Sequence, residues 1–587
     1  MDNRITLYPD AARFGGTVPA IASKSYAHRL LFLASMSSEP CRIICSTTSK
    51  DIEATIRCMT ALSADIRREG DTLFVTPISN FGAAQTAVLG SAVSSAASGN
   101  AMLSSASAGN AVSSAASAGS AAQTASENDL PDFCQDPAHK ENNTQPVRMD
   151  AGESGSTLRF LLPLLGVLGR DAVIETGGRL ASRPLSPLKE EMLRHGTKIT
   201  VHLSADQDIE TLQRTDQRYA DRKHADQQDA PMQNPDYILT SGRLTGGTYT
   251  IAGNISSQYI TGLLMALPLA EEDSLLQITG KLESKPYVDI TLACLKEFGI
   301  RIDPITPGPA AASFVSNSGD QITETRFPAE ASDGTAGEKE AVTLAFRIPG
   351  RQRPSLRKSP DAACTLPSCR VEGDWSNAAF FLVAGALSEQ GVTVTGLRPD
   401  SCQGDKQILE VLQRFGAKVR ITPADPSLSV TESDPLPSVT IKKASMRGLE
   451  IDAADIPDLV PVLSAAAAAA EGTTVFRNIE RLRIKESDRV ATVIDCLTSL
   501  GACAREENGC LIINGRGRIS GGTADSHNDH RIAMTAAVLS LIAEEPVTIT
   551  GASAVEKSYP GFYTDFRRLM QEELPGAAAA SYSDPLS

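Results

Sequence analysis

The sequence predicts an α/β protein made of six copies of one unit, three to a domain. Two observations carry that prediction. First, a small polar cluster leads six times into an apolar run, a turn and a short β-rich segment. The copies are Ser25–Ser46, Ser156–Gly178, Gln258–Gly280, Ser376–Gly396, Pro457–Asn478 and His530–Gly551. Second, a more amphipathic helix follows the copies, at Asp51–Arg68, Leu185–His195, Asp289–Phe298, Lys406–Phe415 and Ser487–Leu500.

Each element has a local reason. In Lys406–Phe415 the apolar residues Ile408, Leu409, Val411, Leu412 and Phe415 fall on one helical face, so that helix meets solvent on the other. Gly196, Gly299, Gly416 and Gly501 stand where left-handed C-caps are expected. Short strands follow, such as Ala417–Ile421. The first helix of each unit is apolar nearly all round, which makes it central.

Composition narrows the function. The 587 residues are 41% hydrophobic and 21% charged, a globular balance. Lys and Arg number 55 against 70 Asp and Glu, a net charge of −15, which argues against a general nucleic-acid or membrane-surface binder. No apolar run reaches the roughly 18 residues of a membrane span, and the opening residues Met1 to Tyr8 have no leader character. The expectation is a soluble cytoplasmic protein. Eleven scattered cysteines contain no C-x-x-C pair and read as free thiols. Residues 81–126 hold no charge and repeat a ten-residue Ala/Ser/Gly motif; with 204–236 and 305–342 they read as surface insertions.

The chemistry is expected where the buried helices begin. Ser23-Lys24-Ser25, Gly155-Ser156-Thr157, Ser256-Ser257-Gln258, Asp374-Trp375-Ser376-Asn377, Ile456-Pro457-Asp458 and Asp529-His530-Arg531 occupy equivalent positions. A helix N-terminus offers unpaired N–H groups and partial positive charge, so it suits phosphate or carboxylate. One such cluster is ordinary capping; six, accompanied by Lys24, Arg29, Arg159, Arg183, Lys485, Arg489, Arg531 and Lys557, point to one pocket for a small polyanion. Asp458 and Glu486 are the acid–base candidates, although Asp458 taken singly reads as an N-cap. His527 and His530 lack the carboxylate or cysteine partners of a metal site, and no metal is expected. Hydrolase elbows, Walker loops and dinucleotide fingerprints are absent.

These residues resemble the 3-phosphoshikimate 1-carboxyvinyltransferase (EPSP synthase) family. The matching stretches include Ser23-Lys24-Ser25 with Arg29, Gly152–Arg159, Arg179–Pro184, Ser256–Tyr259, Ser284–Asp289, Glu372–Asp374, Gln403–Asp405, Asp455–Asp458, Arg483–Arg489, Asn528–Arg531 and Glu556–Pro560, all in family order. The resemblance implies the two-domain enolpyruvyl transferase fold of six βαβαββ-type repeats. One domain would comprise 1–22 and 374–587, the other 23–373 with insertions at about 80–146, 204–236 and 305–342, and the active site would lie in the cleft.

The resemblance further implies transfer of an enolpyruvyl group from phosphoenolpyruvate to shikimate 3-phosphate, without a cofactor, by a monomer. Carried over residue by residue, it assigns Lys24, Ser25, Arg29, Ser256, Ser257, Gln258, Ser284, Tyr287, Asp458 and Lys485 to shikimate 3-phosphate. Lys24, Gly155, Arg183, Gln258, Arg489, Arg531 and Lys557 go to phosphoenolpyruvate, and Asp458, Glu486 and Lys24 to catalysis. Two positions depart from the pattern: Glu153 and Arg481 each stand where many members carry Asn. The rivals are the sister transferase acting on UDP-N-acetylglucosamine, whose loop cysteine has no equivalent here, and a non-catalytic scaffold of the same fold.

Overall fold

The computed structural model describes residues 3–78, 145–203, 236–305, 341–357, 366–423 and 437–570. The three predicted insertions lie almost wholly outside these. Met1–Ser79 and Val147–Ser587 make one compact unit, which contains everything described below.

Among the described residues the strands form six sheets, five of four strands and one of three. The four-stranded sheets share one plan. In one copy Val147–Asp150 and Ala172–Thr176 lie parallel, Val147 opposite Ala172, with the Gly155–Leu168 helix between them in sequence. Asp236–Gly242 then pairs antiparallel with Ala172–Thr176 on one side and Thr197–His202 on the other. Two sheets borrow a strand from far along the chain: Ser368–Arg370 lies parallel to Cys41–Ile44, and Gly15–Pro19 parallel to Gly391–Thr395. In the three-stranded sheet Arg4–Leu7 closes antiparallel on Val547–Thr550.

Six apolar helices are buried at Lys24–Ser35, Gly155–Leu168, Ser257–Ala266, Trp375–Leu387, Val460–Ala469 and His530–Leu539. Every residue of Trp375–Leu387 is buried. At about 1.5–3 kcal/mol for each large side chain removed from water, these helices are the main source of cohesion. Gly262 lets two of them touch, because a Cβ there would come 2.5 Å from the carbonyl oxygen of Arg159. One core joins Leu7, Phe14, Val18 and Ile21 to residues from Trp375 to Met570.

Ala22 and Gly373 form an isolated antiparallel bridge. Flanking it, Ser23 N–H donates to Glu372 O at 2.8 Å and Asp374 N–H to Ile21 O at 2.9 Å.

The outer helices differ in extent from their predicted ranges. The helix expected over Asp51–Arg68 runs Lys50–Ala61, because Ser63 turns at φ 76° and Asp65–Glu69 continues as a strand paired with Thr72–Thr76. Lys285–Glu297 starts earlier than expected, with Pro286 in its first turn. Gly196, Gly299, Gly416 and Gly501 all have positive φ, as expected of helix stops.

Candidate active site

The buried helices begin around one cavity. Ser154, Ser256, Asp374 and Asp529 are N-caps whose side chains accept from the backbone N–H groups of Thr157, Gln258, Asn377 and Arg531. Ser23 precedes Lys24–Ser35, but its hydroxyl donates instead to Gln403 at 3.2 Å. The neighbouring Lys24 N–H is taken by Asp374 Oδ2 at 3.0 Å, so two helix starts share one carboxylate. First-turn residues from five of these helices, with Asp458 just ahead of the sixth, line the cavity. Their positive ends converge there.

Side chains add to that field. Lys24, Arg29, Arg159, Arg183, Arg481, Lys485, Arg489 and Arg531 line the cavity with only Asp374, Asp458 and Glu486 as lining carboxylates. Eight cations against three anions, in a chain of net charge −15, concentrate positive potential at one place. Three cations have further acidic partners: Lys24 Nζ lies 2.9 Å from Asp51, Arg489 Nε 2.8 Å from Asp529 and Arg481 Nε 3.8 Å from Glu283.

Asp458 is fully engaged. Its Oδ1 accepts from Arg489 at 2.7 Å and lies 3.3 Å from Lys485 Nζ; its Oδ2 accepts from Tyr287 OH at 2.8 Å and lies 3.5 Å from Arg531. Burial works against its charge, but Arg531, Lys485 and Arg489 together hold its pKa well below the usual carboxylate range. It sits in a 3-10 turn, Pro457–Leu459, and caps nothing, so the N-cap reading gives way to an ion-paired carboxylate.

Glu486 is more loosely held. Among the described residues it accepts one hydrogen bond, from Arg489 at 2.6 Å. Burial raises its pKa, and the positive charges of Arg489, Arg183 and Lys24 more than offset that, so it too stays ionised. Lys24 remains a cation, since Asp51 and Glu486 outweigh its desolvation.

Most of the expected residues meet here. Lys24, Ser25, Arg29, Arg183, Ser256, Ser257, Gln258, Ser284, Tyr287, Asp458, Lys485, Glu486, Arg489 and Arg531 all line the cavity. Gly155 stands behind its wall: a Cβ there would meet Arg183 Nη1 at 2.7 Å and Arg159 Nη1 at 2.9 Å, so the glycine makes room for two guanidinium groups. Lys557 is not on the wall either; its Nζ is bound to Glu153 at 2.7 Å and donates to Asn528 O at 2.6 Å. Arg29 faces the cavity, but its nitrogens donate to Thr291, Ser25 O, Thr261 and Tyr287 O, tying three helices together.

Ser156, Arg159, Ser376, Asn377, Arg481 and His530 line the cavity as well, although the resemblance assigned none of them a substrate or a catalytic role. Four of them belong to the helix-start clusters already singled out, and Arg159 lies one turn inside its helix. His530 is buried, neither ring nitrogen is hydrogen-bonded among the described residues, and burial drives its pKa well below the usual value. His527, by contrast, pairs with Asp495 at 2.8 Å, so the two histidines serve different surroundings.

A repeated α/β fold whose buried helices aim their N-termini at one cation-lined cavity, with two ionised carboxylates inside, defines an enzyme acting on small polyanions. The family model for EPSP synthase (3-phosphoshikimate 1-carboxyvinyltransferase) matches residues 10–114, 232–312 and 347–566. Curated relatives named 3-phosphoshikimate 1-carboxyvinyltransferase include one from Clostridioides difficile, 31% identical over 96% of this chain and 97% of its own. Another, from Clostridium kluyveri, is 35% identical over 71% of this chain and 77% of its own. The chain belongs to the EPSP synthase family.

Solved structures show the same fold. The EPSP synthase of Acinetobacter baumannii aligns with a TM-score of 0.60 at 19% identity, covering 96% of this chain and 98% of that one. The enolpyruvyl transferase NikO of Streptomyces tendae aligns at 0.56 and 16% identity, covering 97% and 98%.

Proposed function

We propose that the cavity transfers the enolpyruvyl group of phosphoenolpyruvate to the 5-hydroxyl of shikimate 3-phosphate, releasing phosphate, as a 3-phosphoshikimate 1-carboxyvinyltransferase of the shikimate pathway. The observation that carries this reading is the excess of eight cations over three carboxylates at the converging helix starts. Both substrates are phosphorylated carboxylates, so each brings the charge that this cavity lacks.

Shikimate 3-phosphate takes the side formed by Ser25, Ser256, Ser257, Ser284, Tyr287 and Lys485, with its hydroxyl toward Asp458. Phosphoenolpyruvate takes the side of Arg183, Gln258, Arg489 and Arg531, with Lys557 behind that side as a further donor cation and Lys24 between the two substrates. Asp458, already ionised, accepts the hydroxyl proton as the oxygen attacks C2 of the donor. Glu486 gives a proton to the methylene carbon in that addition and removes one in the elimination, while phosphate leaves with the proton held by Asp458.

Glu486 starts ionised, so it must first gain a proton. The donor's own anions neutralise Arg183 and Arg489, two of the cations that keep Glu486 deprotonated, and so raise its proton affinity on binding. Lys24 stays charged and stabilises the intermediate's anionic groups. We further read the chain as two lobes, 1–22 with 374–587 and 23–373, hinged at the Ala22–Gly373 bridge and closing on the substrates.

The test is phosphate release by the purified protein given both substrates, with each omitted in turn. Release that requires both supports the reading. Release with UDP-N-acetylglucosamine in place of shikimate 3-phosphate, or none from folded protein, overturns it.

A further inference from the structure

Glu153 sits where an acidic side chain is least expected, two residues before Gly155 and beside a cavity built for anions. Its Oε2 lies 2.7 Å from Lys557 Nζ. The same carboxylate accepts from Asn528 Nδ2 at 3.1 and 3.3 Å. Lys557 in turn donates to Asn528 O at 2.6 Å, which closes a three-residue ring. The lysine is largely buried, at 10% side-chain exposure, against 36% for the glutamate. Space has been left for this carboxylate: Gly178, at φ 56°, would bring a Cβ to 2.7 Å from Glu153 Oε2.

We infer that Glu153 is an internal competitor for the anionic donor, its carboxylate occupying the cation that a donor phosphate or carboxylate would otherwise take. This inference rests on the reading of Lys557 as a donor-side cation. A ligand oxygen that also hydrogen-bonds Lys557 comes to within about 5 Å of the Glu153 carboxylate, twice the length of a charge-assisted hydrogen bond. Two like charges at that distance repel even in high dielectric, and a doubly charged phosphate is repelled more. Glu153 therefore weakens donor binding selectively. The acceptor, on the Asp458 side, is unaffected. Because Glu153 is partly exposed, the repulsion is screened by salt.

The experiment compares the full-length protein with Glu153→Gln, which keeps the shape and removes the charge. At low ionic strength the donor KM is expected to fall about tenfold, with the acceptor KM unchanged and kcat within about twofold. Added salt is expected to shrink the difference. A purely structural role would move both KM values together and would not depend on salt. A donor KM that is unchanged or raised in Glu153→Gln overturns the inference.

Calorimetric titration of both proteins with phosphoenolpyruvate alone and with inorganic phosphate alone separates this test from that of the reaction. Tighter binding by Glu153→Gln in proteins that do not turn over supports the role of Glu153 and counts against the reaction. Turnover by both proteins with equal donor affinity does the opposite. Failure of either protein to bind phosphoenolpyruvate counts against both.

Discussion

Asp458 and Glu486 are both partly buried, both ionised and both bound by Arg489, yet their corners of the cavity are built differently. Around Asp458 the partners are assembled in advance: Arg489, Lys485, Tyr287 and Arg531 surround both oxygens. Around Glu486, among the described residues, there is one hydrogen bond and a field of cations, of which Arg183 has an Nε with no hydrogen-bond partner. A carboxylate fixed as an anion by several contacts is suited to accept a proton from a hydroxyl. One kept ionised mainly by cations that a ligand can neutralise is suited to change protonation state when that ligand arrives.

Breaking the preassembled corner has the largest expected effect. Asp458→Asn removes the base and leaves the buried Arg489 and Arg531 and the partly buried Lys485 short of a counter-charge, and phosphate release is expected to fall by about 10³–10⁴-fold. Thermal unfolding of the same variant checks that the loss is not simple unfolding. Glu486→Gln removes the adjustable group while leaving the Asp458 contacts in place; the expected loss in kcat is about 10²-fold, with little change in the acceptor KM.

Gly155→Ala tests the Glu486 side alone. Its methyl group would displace Arg183 or Arg159, so the donor KM is expected to rise about tenfold while the acceptor KM stays put. Equal shifts in both constants would mean that the two corners are not separable.

The smallest effect sharpens the Asp458 corner through stability. Asp405 is buried, and burial together with the charge of Asp458 pushes its pKa up to about 7. Its folded pKa lies above its unfolded value, so its contribution to stability is full below about pH 4 and is lost as pH rises through about 7. Asp405→Asn is therefore expected to leave the melting temperature unchanged near pH 4 and to raise it by a few degrees at pH 8. A variant less stable at pH 8 would show that Asp405 is needed as an anion by Arg531.

The fold was largely legible because its central helices announce themselves: Trp375–Leu387 and Val460–Ala469 are apolar on every face and start at polar clusters. Sheet membership was not legible. Nothing local in Ser368–Arg370 says that it pairs with Cys41–Ile44, and the Asp51–Arg68 segment hides a turn at Ser63. At the site, helix starts were readable one at a time and the resemblance supplied the roles. The contacts that give Asp458 its character come from Tyr287, Lys485, Arg489 and Arg531, brought together only by packing. The Glu153–Lys557 pair joins residues 404 positions apart, and neither residue carries a local sign of the other.

The division of labour between the two carboxylates is tested most directly by running the reaction in deuterium oxide and measuring deuterium at the methylene carbon of recovered phosphoenolpyruvate and product. With both substrates present, the parent protein is expected to incorporate deuterium and Glu486→Gln to lose that incorporation by about 10²-fold. Incorporation by Glu486→Gln at the parent's rate would contradict the assignment and move the carbon proton to another group in the cavity.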